Sequence, residues 1–263
     1  MHKCLLTKGI PLGVLLMLIT TSGVPQIIGT NVQCADEKNI VMGDSNRTTL
    51  DAKYDSPNHH IIAANFNYFI PPYNSSGGGK DHGGSGLGSH HDAEWDANHR
   101  FGELFTKAES CAEGLDTMAY AQSQAWITGP AEGTLKTEKS GNQIMVMFFL
   151  LNGAASTTTE GTFTEAESQM NLSGSLIDLD TNETVGSLTR TLYRGLSEHK
   201  RWLLKLCILI FPVTLSTNHS YYFKAQLSIQ HNANSDKLFG SADAHSSLNA
   251  ILFFVLLIES QTA

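Results

Sequence analysis

Side-chain alternation with a period of two constrains this chain more than anything else in its sequence. Thr117 to Ile127 sets Met118, Tyr120, Gln122, Gln124 and Trp126 on one row and Ala119, Ala121, Ser123, Ala125 and Ile127 on the other. Successive strand residues face opposite ways, so the small row is shaped to lie close against a second layer. Gln143 to Leu151 (QIMVMFFLL) is apolar on both rows, as in a central strand covered on both faces. Asn171 to Leu179 and Glu183 to Tyr193 flank Asp180-Thr181-Asn182, which has the turn chemistry of a hairpin. Arg201 to Leu215, Tyr221 to Gln230 and Ser246 to Ile258 complete the set. No helical period is sustained, β-branched and aromatic residues concentrate in the runs, and turn residues separate them. The pattern predicts an all-β chain folded as an antiparallel β-sandwich.

One local feature supports that architecture. Leu215 stands six residues before Tyr221, which opens the alternating run Tyr221-Tyr222-Phe223-Lys224. This resembles the tyrosine corner of Greek-key sandwiches such as fibronectin type III and immunoglobulin-like domains. The resemblance implies a phenol bonded back to the chain a few residues upstream, pinning a crossover between sheets. It covers about a dozen residues and implies a sandwich of immunoglobulin-like or jelly-roll-like Greek-key form, with no implication for activity.

The first third of the chain reads differently. Lys3 and Lys8 precede an apolar stretch, Ile10 to Ile19, of about the length of a signal-peptide core. That is too short for a bilayer, which needs about 20 apolar residues. Residues 1–34 are therefore expected to be a signal peptide, with cleavage near 22–24 as the alternative to a cut at Cys34. The apolar runs Leu203 to Phe211 and Ala250 to Ile258 have strand length, so no transmembrane anchor is expected. Residues 35–92 read as an N-terminal segment with one candidate strand at 61–70, ended by Pro71-Pro72. Residues 75–92 are rich in Gly, Ser and His and read as a flexible linker that cannot order itself by burial. The sandwich is expected over 93–263.

Export places the chain in an extracellular or cell-surface setting. The whole sequence carries a formal charge of −8, and losing Lys3 and Lys8 makes the mature chain more acidic still. Nucleic acid and anionic lipid are excluded as partners by that sign. Cys111 and Cys207 are the cysteines that surely survive processing. In an oxidising compartment they form a candidate disulfide, closing a loop of about 95 residues worth about 4 kcal/mol. Asn46, Asn74, Asn171, Asn182 and Asn218 open Asn-X-Ser/Thr sequons and are candidate glycosylation sites.

The densest chemistry lies in HHDAEWDANHRFGE, His90 to Glu103. His90, His91, Asp92, Asp96 and His99 are the candidate metal ligands, and imidazole with carboxylate suits zinc, nickel, copper or iron. As a helix, the segment would align Asp92, Asp96, His99 and Glu103. As a strand, it would put Asp92, Glu94 and Asp96 on one row and His91 and His99 on the other. The spacing matches no established motif, since Asn98 and Ala97 break the resemblance to a calcium loop. Ligands from elsewhere would have to come from His199, His219, His231 or His245. The competing reading is a solvated lead-in to the sandwich.

Catalytic constellations are weaker. There is no G-x-S-x-G elbow, phosphate loop or dinucleotide fingerprint. Glu103, Glu109, Glu113, Asp178 and Glu198 are the carboxylates available to a glycosidase. Trp126, Trp202, Tyr221 and Tyr222 are candidates for a sugar-stacking platform, against the plainer reading as core aromatics. Three functions follow in order: a non-catalytic secreted or cell-surface protein with a structural, adhesive or interaction role; a glycan- or metal-binding module; an extracellular hydrolase. The partners implied are other surface proteins, further copies of the chain, or glycans. No cofactor is required beyond a divalent metal at the His/Asp cluster.

Overall fold

The computed structural model describes residues 55–56, 59–60, 66–131, 134–137, 140–161, 163–195, 199–236 and 240–259. The expected signal peptide, the sequon at Asn46 and the carboxylate Glu198 lie outside the described residues. Asp55–Ser56 (β1) pairs antiparallel with His59–His60 (β2) in a small unit of its own.

The described residues of the second unit form strands joined by turns. Its elements are β3 (Phe66–Phe69), β4 (Ser75–Ser85), β5 (Ser89–Asn98), β6 (Glu103–Glu113), β7 (Thr117–Gly129) and β8 (Leu135–Lys136). They continue as β9 (Gly141–Glu160), β10 (Thr164–Asp178), β11 (Glu183–Gly195), β12 (His199–Leu215), β13 (Ser220–Ser235) and β14 (Ser241–Glu259). The first sheet runs β11-β10-β13-β7-β4, with β8 also on β13. The second runs β12-β9-β14-β6-β5, with β3 also on β14. The pairing within them is antiparallel, and the two sheets form the expected sandwich. No described residue is helical, so none belongs to a helix able to cross a membrane.

Laid side by side, the two sheet orders show how the sandwich is made. The facing pairs are β4/β5, β7/β6, β13/β14, β10/β9 and β11/β12, each pair consecutive in the chain. The sandwich is thus a row of arches in which neighbouring strands meet across the core. The β10–β11 hairpin turns at Asp180-Thr181-Asn182 as expected, with Asn182 at φ 58°.

The inner rows grade along the strands. At one end Ala112, Ala119, Ala166, Ala233 and Ala242 bring the layers close. Farther along, Met145, Met147, Phe149, Phe211 and Phe223 fill a wider space. In β7 the small row, Ala119 to Ile127, is the buried one. β9 lies between β12 and β14, and its outer-row Val146 and Phe148 are also buried, as its doubly apolar sequence predicts. The Tyr221 phenol is fully buried, accepts the Ser216 N–H at 2.7 Å and lies 3.3 Å from the Ser216 carbonyl, forming the expected corner.

Of the candidate strand at 61–70, Phe66–Phe69 form β3, and residues 61–65 lie outside the described residues. One expectation needs correction. Residues 75–92 are no linker: β4 is an eleven-residue strand paired with β7 from Ser75↔Thr128 to Ser85↔Met118, and β5 begins at Ser89. The order comes from its neighbours. Backbone hydrogen bonds to β7 hold β4, and its missing side chains leave room for rings. A Cβ on Gly77 would lie 2.5 Å from the Trp126 ring, and one on Gly83 would lie 2.8 Å from Tyr120.

Candidate functional site

Strand alternation divides the expected metal ligands. On β5, Ser89, His91, Ala93, Trp95 and Ala97 face β4, and His90, Asp92, Glu94 and Asp96 lie on the opposite row. The extended reading of the sequence therefore describes the rows within β5, whereas His99 lies in the turn that follows the strand. Asp92 is 3.5 Å from Lys107, and Lys107 is 3.1 Å from Glu109. Asp96 Oδ1 accepts the N–H of Ala97 at 2.8 Å, and His99 Nδ1 is 3.2 Å from Ser76 Oγ. His91 meets His82 of β4, with Nδ1 atoms 2.8 Å apart. The five residues do not converge on one point.

A triad that sequence reading did not assemble does converge. Among the described residues, donor atoms of Asp178, Asp180 and His219 lie within 4.8 Å of one another. Asp178 Oδ1 accepts the N–H groups of Asp180 and Thr181 at 2.8 and 3.3 Å, and its Oδ2 is 2.6 Å from His219 Nδ1. Asp180 Oδ2 accepts the Ser220 N–H at 2.7 Å. Burial resists ionisation of Asp178, but the bonds from His219, Asp180 and Thr181 outweigh it and hold the carboxyl below its usual range. The bond to Asp178 in turn raises His219. These oxygens already bind the hairpin turn to the start of β13, so the triad is a structural knot.

The outer face of the first sheet is a polar surface. Its rows follow from the register. Gly79 (β4), Gln124 (β7), Ser228 (β13), Asn171 (β10) and Thr191 (β11) form one cross-strand row. Asp81, Gln122, Gln230, Gln169 and Arg194 form the next, and Gly77, Trp126, Gln226, Ser173 and Thr189 flank them on the other side. The amides bond laterally: Gln226 donates to Gln124 at 3.2 Å, and Thr191 donates to Asn171 at 3.0 Å. A trough of about 280 Å³ opens over Gly79, Gln122, Gln124, Gln169, Asn171 and Gln230. Trp126 and the exposed Tyr120 stand beside it along β7, and Lys224 Nζ lies 5.6 Å from the Trp126 ring centroid. The period-two row of β7 was the sequence signal for this face; the partners supplied by β10 and β13 were not readable from it.

Other expected residues distribute plainly. Of the four candidate stacking rings, Trp126 and Tyr222 lie on the outer row, but Trp202 is buried against Tyr193 and Tyr221 is the corner, so they form no single platform. Glu103, Glu109 and Glu113 follow one row of β6, and Asp178 belongs to the knot. Cys111 and Cys207 are free thiols, correcting the expected disulfide. Cys111 lies on the outer row of β6 and Cys207 faces the core from β12, with β14 and β9 between them. Three strand spacings, about 14 Å, exceed the reach of a disulfide. Burial and the carboxylates of Asp243 and Glu113 push the Cys111 thiol up to about 12. Asn74, Asn182 and Asn218 are exposed at turns, whereas Asn171 is half-buried in the amide row.

No family model and no curated protein matches the chain. Among solved structures it is similar to the C-terminal CBM6 of LamC, a marine laminarinase from Zobellia galactanivorans. That overlap has 8% identity and a TM-score of 0.23, covering 74% of this chain and 100% of that one. A second similarity is to the Stig cyclase Fisc from Fischerella sp. TAU, in complex with a pyrrolidinylidene-indole. It has 10% identity and a TM-score of 0.23, covering 61% of this chain and 90% of that one. Neither overlap carries an argument about ligand or activity.

Proposed function

We propose that this protein is an extracellular, non-catalytic binding module that takes a neutral oligosaccharide on the outer face of its first sheet. The observation that supports it is the amide-and-hydroxyl surface around the trough, bordered by Tyr120 and Trp126. Amides donate and accept at once, which is what a polyhydroxylated ligand requires. Flanking rings supply apolar contact for a sugar face. The charged residues lining the trough, Lys80 and Asp81, balance each other, and the whole chain carries −8, so a neutral glycan fits better than an anionic one. The expected secretory leader and exposed sequons agree with an extracellular setting.

The test is an array of neutral and acidic oligosaccharides, followed by calorimetry on the best ligand. Each of Gln124→Ala and Asn171→Ala removes about 1 kcal/mol of hydrogen bonding, roughly a fivefold loss of affinity. Asp92→Asn, on the other sheet, leaves affinity unchanged. Binding indifferent to Gln124 and Asn171, or no binding across the array, overturns the proposal.

A further inference from the structure

We propose that His82 and His91 form a two-imidazole site for a late first-row divalent cation, copper(II) foremost, at the arch between the two sheets. The site is independent of the glycan reading and lies on the other side of β4. His82 belongs to β4 in the first sheet and His91 to β5 in the second, so one ligand comes from each layer.

The geometry carries the inference. The Nδ1 atoms point at each other across 2.8 Å, with ring centroids 5.0 Å apart and planes tilted by 42°. Without metal, one Nδ1–H donates to the other Nδ1. Two imidazole nitrogens bound to one cation at 2.0–2.1 Å with a right angle between them stand about 2.9 Å apart. The pair therefore already has the nitrogen separation of two adjacent corners of a square-planar site, the arrangement that favours copper(II), and each ring has only to turn its lone pair off the line between the two nitrogens toward the shared cation. On binding, the donor ring passes its hydrogen from Nδ1 to Nε2, both Nδ1 lone pairs coordinate, and water completes the sphere.

The backbone around the pair is shaped for the rings. A Cβ on Gly84 would clash with the Met118 carbonyl at 2.6 Å and press on the His91 ring at 3.1 Å, so glycine at this position relieves crowding beside the ring. Both rings reach solvent at the sandwich edge, beside the connection that carries the fully exposed Leu87. The formal charge of −8 draws cations toward the protein.

The experiment is a copper(II) titration at neutral pH by calorimetry and electron paramagnetic resonance. It compares wild type with His82→Ala, His91→Ala, His82→Gln and His90→Ala. The expected result is one site showing two coupled nitrogens, weakened at least tenfold by either His82 substitution or by His91→Ala. His90→Ala, on the opposite row, leaves it intact. Copper should also raise the melting temperature of wild type but not of His82→Gln, because the ligands join two sheets. Copper affinity and nitrogen couplings that survive in His82→Gln, or no site tighter than about 100 μM, overturn the proposal. Melting curves without metal identify any variant that fails to fold, and the Gln substitution then decides.

Discussion

His231 is an imidazole sealed between the sheets. It is fully buried on β13, with Nε2 2.8 Å from Ser246 Oγ, which is itself 3.0 Å from Ser168 Oγ. Burial pushes its pKa down to about 4, against an opposing contribution from the backbone of Ala244. The unfolded chain takes up this proton near 6.5, whereas the folded chain does not until about 4. Between those values the unfolded state binds more protons, so stability falls as pH drops through the window, by an amount on the order of 3 kcal/mol. Urea unfolding at pH 7, 5.5 and 4 should show this slope, and His231→Gln should flatten it. The surface knot responds differently. Asp178, held low, contributes above about pH 4 and loses its contribution on acidification; His219, held high, contributes below about 6.5 and loses it as pH rises through its folded value. At the corner, Tyr221→Phe removes the bond to Ser216 and should cost about 1 kcal/mol in the same unfolding assay.

At the scale of one element, β4 shows where composition misleads. SSGGGKDHGGS has almost no side chain to bury, and hydrophobicity alone reads it as a tether. Its order derives from β7, and its glycines act differently by row. On the inner row, a Cβ at Gly78 would meet the Gln124 carbonyl at 2.3 Å and the Trp95 ring at 2.4 Å. Neither can retreat easily, so Gly78→Ala should cost about 2–3 kcal/mol. On the outer row, a Cβ at Gly79 would touch only the Gln124 side chain, at 3.4 Å. Gly79→Ala should keep stability within about 0.5 kcal/mol while weakening any ligand of the trough, which separates the two roles in paired melting and calorimetry experiments. For β7 the alternation of small and large residues was enough to assign both faces. For β5 it placed Asp92, Glu94 and Asp96 on one row, with His91 opposite. No local pattern could show that His82 stands across from His91, because that contact belongs to the arch and to neither strand alone.

For the whole molecule, the arrangement of arches decides where the domain begins. Strand content, the hairpin at Asp180 to Asn182 and the Tyr221 corner were readable locally. Sheet membership was not, since consecutive strands mostly face each other and pair with distant ones: β7 with β13, β6 with β14. The boundary inferred at residue 93 shows the consequence. A chain starting there lacks β3, all of β4 and the first four residues of β5. The edge of β7 would lose its partner from Ser75 to Ser85, the close contact of Trp95 with Gly78 would vanish, and Tyr73 would no longer stack edge-on against Phe223 at 5.5 Å. An unpaired edge of that length also invites association with other chains. A chain starting at residue 64 keeps every one of these contacts. The 64–263 chain should therefore unfold in one cooperative transition and elute as a discrete species, whereas 93–263 should lose that transition or aggregate. Equal melting curves for the two would show that β4 and the start of β5 are dispensable, and would restore the boundary at 93.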